Sequence, residues 1–100
     1  MSRFITTVPL PTSEQAELLV CLIEEASEVQ HRATKLLRFG ASEVQSGQDK
    51  DNTERLSEEV GEFIHLVERC LKACLLNQQA VLRGQGSKAA RLDHWLQCQE

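Results

Sequence analysis

Apolar residues recur at helical intervals through three stretches of the chain. Leu18, Leu19, Leu22, Ile23, Ala26, Val29, Ala33, Leu36 and Leu37 follow the 3.6-residue period of an amphipathic helix. Thr12 and Gln15 suit a capping box and Gly40 a stop, so the first helix is expected over about 13–38. A second run, Leu56, Val60, Phe63, Ile64, Val67, Cys70 and Leu71, predicts a helix over about 53–73 capped by Asp51 or Asn52. A break near Leu75 and Leu76 leaves Asn77 to cap a third helix over about 78–97, with Val81, Leu82, Ala89, Leu92, Trp95 and Leu96 as its apolar positions. Gly84 and Gly86 lie inside it and each costs about 1 kcal/mol relative to Ala, so a kink or fray is expected there. Residues 1–11 read as an extended arm closed by Pro9 and Pro11, and residues 40–51 as a polar loop.

Composition agrees with this all-α reading. Tyr is absent and β-branched residues are sparse beyond Met1–Val8, whereas strands favour β-branched and aromatic side chains. One hundred residues make a single domain whose surface is large for its volume. The fold expected is therefore an antiparallel helical bundle of about three helices, its four-helix core completed by pairing with a second chain. The 11 basic and 15 acidic residues give a formal charge of −4, which argues against nucleic-acid binding through a basic face. No apolar run is long enough to span a membrane, and the first residues lack the apolar core of a signal peptide. A cytoplasmic protein is expected. Cys21, Cys70, Cys74 and Cys98 then read as small buried apolar residues in a reducing compartment. A zinc site from Cys70, Cys74 and a His lacks the usual ligand spacing.

The surplus acid is patterned. The first helix carries Glu24-Glu25-x-x-Glu28 and the second Glu58-Glu59-x-x-Glu62. At about 100° per residue, Glu25 and Glu28 share a stripe with Cys21, Arg32 and Lys35, and Glu59 and Glu62 share one with Arg55, Leu66 and Arg69. Both stripes border the apolar faces, so packing those faces brings four carboxylates to the edge of the core. Gly61 beside them permits close backbone approach. Carboxylates so placed cannot all ionise without a compensating cation, and hard oxygen ligands suit Mg²⁺ or Mn²⁺. A solvated acidic face is the alternative reading of the same residues.

These motifs resemble those of the all-α NTP pyrophosphohydrolases of MazG type, particularly the short, phage-like members. That family carries EExxE on one helix and ExxD on the next; here Glu24-Glu25-x-x-Glu28 is followed by Glu59-x-x-Glu62, with Glu62 in the usual Asp position. The likeness extends to Arg32–Gly40, Asn52–Leu56 and Lys88–Leu96, covering roughly residues 15–97. The resemblance implies Mg²⁺-dependent hydrolysis of a nucleoside triphosphate, ribo- or deoxy-, to the monophosphate and pyrophosphate, in the manner of nucleotide-pool housekeeping. Mn²⁺ is a candidate substitute. Glu25, Glu28, Glu59 and Glu62 would hold the metal, and Glu24, Glu25 and Glu59 would be the catalytic set, with Glu24 in outer-shell or proton-accepting work. Lys35, Arg38, Asn52, Arg55, Lys88 and Arg91 would meet the substrate. Each has a plain structural reading, the cations as solvated helix charges and Asn52 as a cap. Trp95 could stack on a base, or pack in a core or subunit contact. The family also implies a homodimer or a dimer of dimers.

Two other readings remain. Glu28-Val-Gln-His31 and Glu62-Phe-Ile-His65 are both ExxH, the motif of di-iron carboxylate bundles, but each His falls nearly opposite the apolar face and reads as solvent-exposed. The third reading is a non-enzymatic helical interaction module, or an inactive member of the family.

Overall fold

A computed structural model describes residues 10–96. Cys98 and all of the expected arm except Leu10 and Pro11 lie outside the described residues. The element order is α1 (Ser13–Phe39), α2 (Asn52–Lys72) and α3 (Gln78–Trp95), an all-α chain as its period and composition imply. Among the described residues there is no strand, only an isolated antiparallel bridge between Val44 and Asp51 in the loop. Among the described residues no helix is long and apolar enough to cross a membrane.

Each helix begins on the side chain its sequence supplies. The Thr12 hydroxyl accepts from the Gln15 backbone N–H at 3.1 Å while the Thr12 N–H donates to the Gln15 side chain at 3.0 Å, a complete capping box. Asp51, not Asn52, caps α2 by accepting from the Glu54 N–H at 2.8 Å, and Asn77 does the same for the Ala80 N–H at 2.8 Å. Gly40 ends α1 at φ 93°, a region that side chains with a Cβ rarely enter.

The end of α2 has no glycine. Leu75 N–H donates to Cys70 C=O at 2.9 Å and Cys74 N–H to Leu71 C=O at 3.1 Å, the paired bonds of a Schellman motif. The left-handed position of that motif is Cys74, at φ 65°. A β-carbon there is held against its preference by the two hydrogen bonds and the turn toward Asn77. Cys74→Gly is therefore expected to raise stability by about 1 kcal/mol, read as a higher urea midpoint with an unchanged slope; a lower midpoint would contradict the strain.

α1 and α2 form an antiparallel hairpin. Its open end is tied by the Gln15 side-chain amide, which donates to the Ala73 carbonyl at 2.8 Å, and by Arg69 within 3.7 Å of Glu14. At the closed end the loop is ordered by Asn52 N–H on Glu43 C=O and Thr53 N–H on Ala41 C=O, each at 3.1 Å. In this register Glu25 meets Glu59 and Glu62 across the seam.

Close helix packing is confined to this hairpin. α3 runs unbroken through Gly84 and Gly86, where a kink or fray was expected, and carries no buried residue. The only buried hydrophobic residues among those described are Leu18 and Cys70, while Ile23, Leu37, Leu82 and Trp95 all stand exposed. The radius of gyration is 18.2 Å, against about 13 Å for a compact chain of this length. Cys21 and Cys74 are exposed, unlike the buried Cys70, so among the described thiols the expectation of burial holds for Cys70 alone. With one chain leaving most apolar positions open, only the seam between α1 and α2 is deep enough to enclose a thiol.

Candidate functional site

Three of the repeated carboxylates converge. Glu25 on α1 and Glu59 and Glu62 on α2 each place a carboxylate oxygen within 4.8 Å of the others. Glu25 and Glu59 are half-buried against the helix seam and Glu62 is exposed. One oxygen of Glu25 and one of Glu59 (Oε2 in each) are shut off from solvent without a hydrogen-bond partner. With both groups ionised, neither has a donor to offer the other. A proton on Glu25 makes that carboxyl a donor toward Glu59. Contact with Glu59, then burial, then the charges of Glu59 and Glu62 push the Glu25 carboxyl up from 4.5 to about 7. Buried lone pairs, hard oxygen donors and resistance to ionisation together fit a divalent cation. This is the only such group of His, Cys, Asp and Glu among the described residues.

Glu28 does not join the three. It lies one turn nearer the loop, exposed, in the wall of a groove of about 230 Å³ shared with Arg32, Lys50, Arg55, Glu58 and Glu59. Next to it is a larger open groove of about 640 Å³, lined by Cys21, Glu24, Glu25, Gly61, Glu62 and Leu66 among others. The grooves share Glu58, and the three carboxylates straddle their junction. Gly61 opens into the larger groove with nothing within 4 Å of where a Cβ would sit. The close backbone approach expected at Gly61 is thus absent; its missing side chain widens the groove instead.

The expected substrate cations fall into three places. Arg55 lines the smaller groove and donates from Nη1 to the Gln45 side-chain carbonyl at 2.7 Å. Lys35 and Arg38 sit at the far end of α1 over the Phe39 ring, 5.5 and 5.0 Å from its centroid, and neither lines a groove with the carboxylates. Lys88 and Arg91 ride on the exposed α3, where Arg91 Nε donates to Ser87 at 3.2 Å; within one chain they are not brought to the carboxylates. Asn52 is 1% exposed, and its amide N–H groups go to the Gly40 carbonyl and the Glu43 carboxylate, both at 2.9 Å. It braces the loop from inside. Trp95 is 72% exposed and lines neither of these grooves.

Three residues at the site were not singled out from the sequence. Glu58 was visible as the first member of the second repeat, and its carboxylate holds Lys50 at 2.8 Å. That contact, through the Glu58 hydrogen bond and charge, pushes the Lys50 ammonium above its usual value. Lys50 has no periodic signal, because a loop position gains its meaning only when the loop folds back. Arg32 sits on the stripe of Glu25 and Glu28, yet its burial at 8% exposure is not a property of the stripe.

The two ExxH histidines stay out of the carboxylate group. His31 is exposed and His65 has a 68% exposed side chain near Glu68, so the inward-facing donor set of a di-iron bundle is not assembled. Cys70 is wholly buried while Cys74 is exposed, and they form no ligand group with a His among the described residues. No protein-family model, curated protein or solved structure matches this chain.

Proposed function

We propose that the chain is a Mg²⁺-dependent nucleoside triphosphate pyrophosphohydrolase, cleaving an NTP or dNTP to the monophosphate and pyrophosphate in the cytoplasm. The observation that carries this reading is the meeting of Glu25, Glu59 and Glu62 from the two acidic repeats, with two buried carboxylate oxygens lacking any partner. The spacing of those repeats resembles that of the MazG-type enzymes, which adds the substrate class. Glu25, Glu59 and Glu62 would hold Mg²⁺, with Glu28 within a turn of them. When bound, the cation neutralises phosphate oxygens and makes the α-phosphorus more electrophilic.

The chain's own groups divide the remaining work. Arg55, in the groove beside Glu59, orients the anionic end of the substrate. The larger groove, with Leu66, Cys21 and Gly61 in its wall, is sized for a nucleoside. Glu24 is exposed at the rim of that groove and outside the group of three, so its carboxylate is free to take a proton from the attacking water. The oxygen of that water joins the α-phosphorus as the bond to the bridging oxygen breaks, and pyrophosphate leaves with that oxygen.

Pyrophosphate release from a panel of ribo- and deoxy-NTPs tests the proposal, with release expected only when Mg²⁺ or Mn²⁺ is present. No release from any member with either cation overturns it. That result would leave a non-enzymatic helical module, the reading that the exposed α3 favours.

The same proposal includes a second copy of the chain, as a homodimer or a dimer of dimers. Its support is the exposure of Ile23, Leu37, Ile64, Leu82 and Trp95 together with the near absence of a core. Apolar surface left in water on this scale is covered in stable proteins. Sedimentation at micromolar concentration is expected to give at least twice the chain mass of 11.3 kDa; a lone monomer would contradict the pairing.

A further inference from the structure

Arg32 is the only buried cation among the described residues, at 8% exposure. A guanidinium cannot escape burial by losing its proton, so it requires an anion or acceptors around it. Its Nη1 is closed to solvent and has no hydrogen-bond partner. Glu28, Asp49, Glu58 and Glu59 line the same groove, yet none of the four lies within ion-pair distance of Arg32, the described ion pairs being Lys50–Glu58, His65–Glu68 and Arg69–Glu14.

The other cations of the groove complete the pattern. Lys50 is committed to both oxygens of Glu58, at 2.8 and 3.1 Å, which removes one carboxylate as a partner for Arg32. Arg55, in the wall of the same groove as Arg32, donates only to the neutral Gln45 carbonyl. Two guanidinium groups therefore share a groove of about 230 Å³ without a paired anion. Their planar forks match the geometry of a tetrahedral oxyanion.

Glu59 stands between opposite demands. On one side it belongs to the carboxylate group whose orphaned oxygens call for a cation. On the other it walls the groove whose guanidinium groups call for an anion. Either demand met alone leaves the other charge uncompensated. A phosphoryl oxyanion that carries its own divalent cation meets both. We propose that Arg32, with Arg55, forms an oxyanion subsite beside the carboxylate group, and that it takes a phosphoryl group of a Mg²⁺-chelated phosphoanhydride. The choice of a phosphoanhydride rests on the function proposed above; the anion subsite itself rests on the two guanidinium groups.

Inorganic pyrophosphate titrated calorimetrically into the full chain, with and without Mg²⁺, tests this. Wild type is expected to bind pyrophosphate at least tenfold more tightly with Mg²⁺ than without. Arg32→Met is expected to weaken Mg²⁺-pyrophosphate binding at least tenfold, while affinity for Mg²⁺ alone is unchanged or higher because a nearby positive charge is gone. Arg32→Lys keeps the charge and should fall between the two. Arg55→Met, at a half-buried position, is expected to weaken pyrophosphate at least threefold and keeps the test open if Arg32→Met fails to fold. Three results overturn the subsite: no pyrophosphate binding by wild type in Mg²⁺, wild-type affinity in the foldable variants, or a parallel loss of Mg²⁺ and pyrophosphate affinity with a lower melting temperature, which marks a merely structural arginine. Selective loss of pyrophosphate in a chain that hydrolyses no NTP would retain the subsite and reject the enzyme.

Discussion

Glu59→Gln is expected to reduce Mg²⁺-dependent pyrophosphate release by at least about 100-fold, a scale that even the loss of an outer-shell partner can reach at a metal site. The helical circular dichroism should stay unchanged. Glu59 has this weight because it is the one residue present both in the three-carboxylate group and in the wall of the arginine-lined groove. Gln preserves volume and shape but removes the charge that a divalent cation requires. It also removes the repulsion from Glu25, so the metal-free variant should melt no lower than wild type. Glu24→Gln is the contrasting substitution: Glu24 is exposed and outside the group, so Mg²⁺ affinity should persist while turnover falls by a smaller factor. Wild-type turnover in Glu59→Gln, measured as pyrophosphate released per minute, would mean that the site lies elsewhere.

The second large effect is on stability. The Glu25 carboxyl holds its proton up to about pH 7 in the folded chain, against 4.5 as its ordinary value. Between those values the folded state binds more protons than the unfolded state, so stability falls as pH rises. The contribution of this group is greatest below pH 4.5 and is lost progressively through about pH 7. A bound cation reverses the preference, because it favours the ionised carboxylates. The metal-free melting temperature is therefore expected to decline from pH 5 to pH 8. Mg²⁺ at one hundred times its Kd should raise it at pH 8 by about 10 °C or more. Glu25→Gln should flatten the decline and abolish the Mg²⁺ response together. A pH 8 melting curve indifferent to Mg²⁺ would contradict a cation at these carboxylates.

The helices were largely legible in the sequence because their signals are local. Thr12 with Gln15, Asp51 and Asn77 each cap a helix from within three residues, and the apolar period needs no partner to be read. The end of α2 was less clear, since its left-handed residue is Cys74 where glycine is the usual sign. Two hydrogen bonds that exist only once the chain turns toward Asn77 hold it there. The independence of α3 was not legible either. Its apolar residues suggested a packed face, but only the folded hairpin shows that α1 and α2 bury little of it.

The site divides along the same line. The sequence by itself determined three helices, their caps, and two acidic repeats beside apolar faces, because a helical angle follows from residue spacing alone. It identified Glu25, Glu28, Glu59 and Glu62 as neighbours in waiting. Only the tertiary structure decided that Glu28 stands apart, that Asn52 is spent on Gly40 and Glu43, that Lys50 is held by Glu58, and that Arg32 is buried without an anion. An angle on a helix fixes the direction in which a side chain leaves the backbone. Where its charged tip comes to rest, and what it meets there, depends on the register between α1 and α2 and on a loop folding back across them.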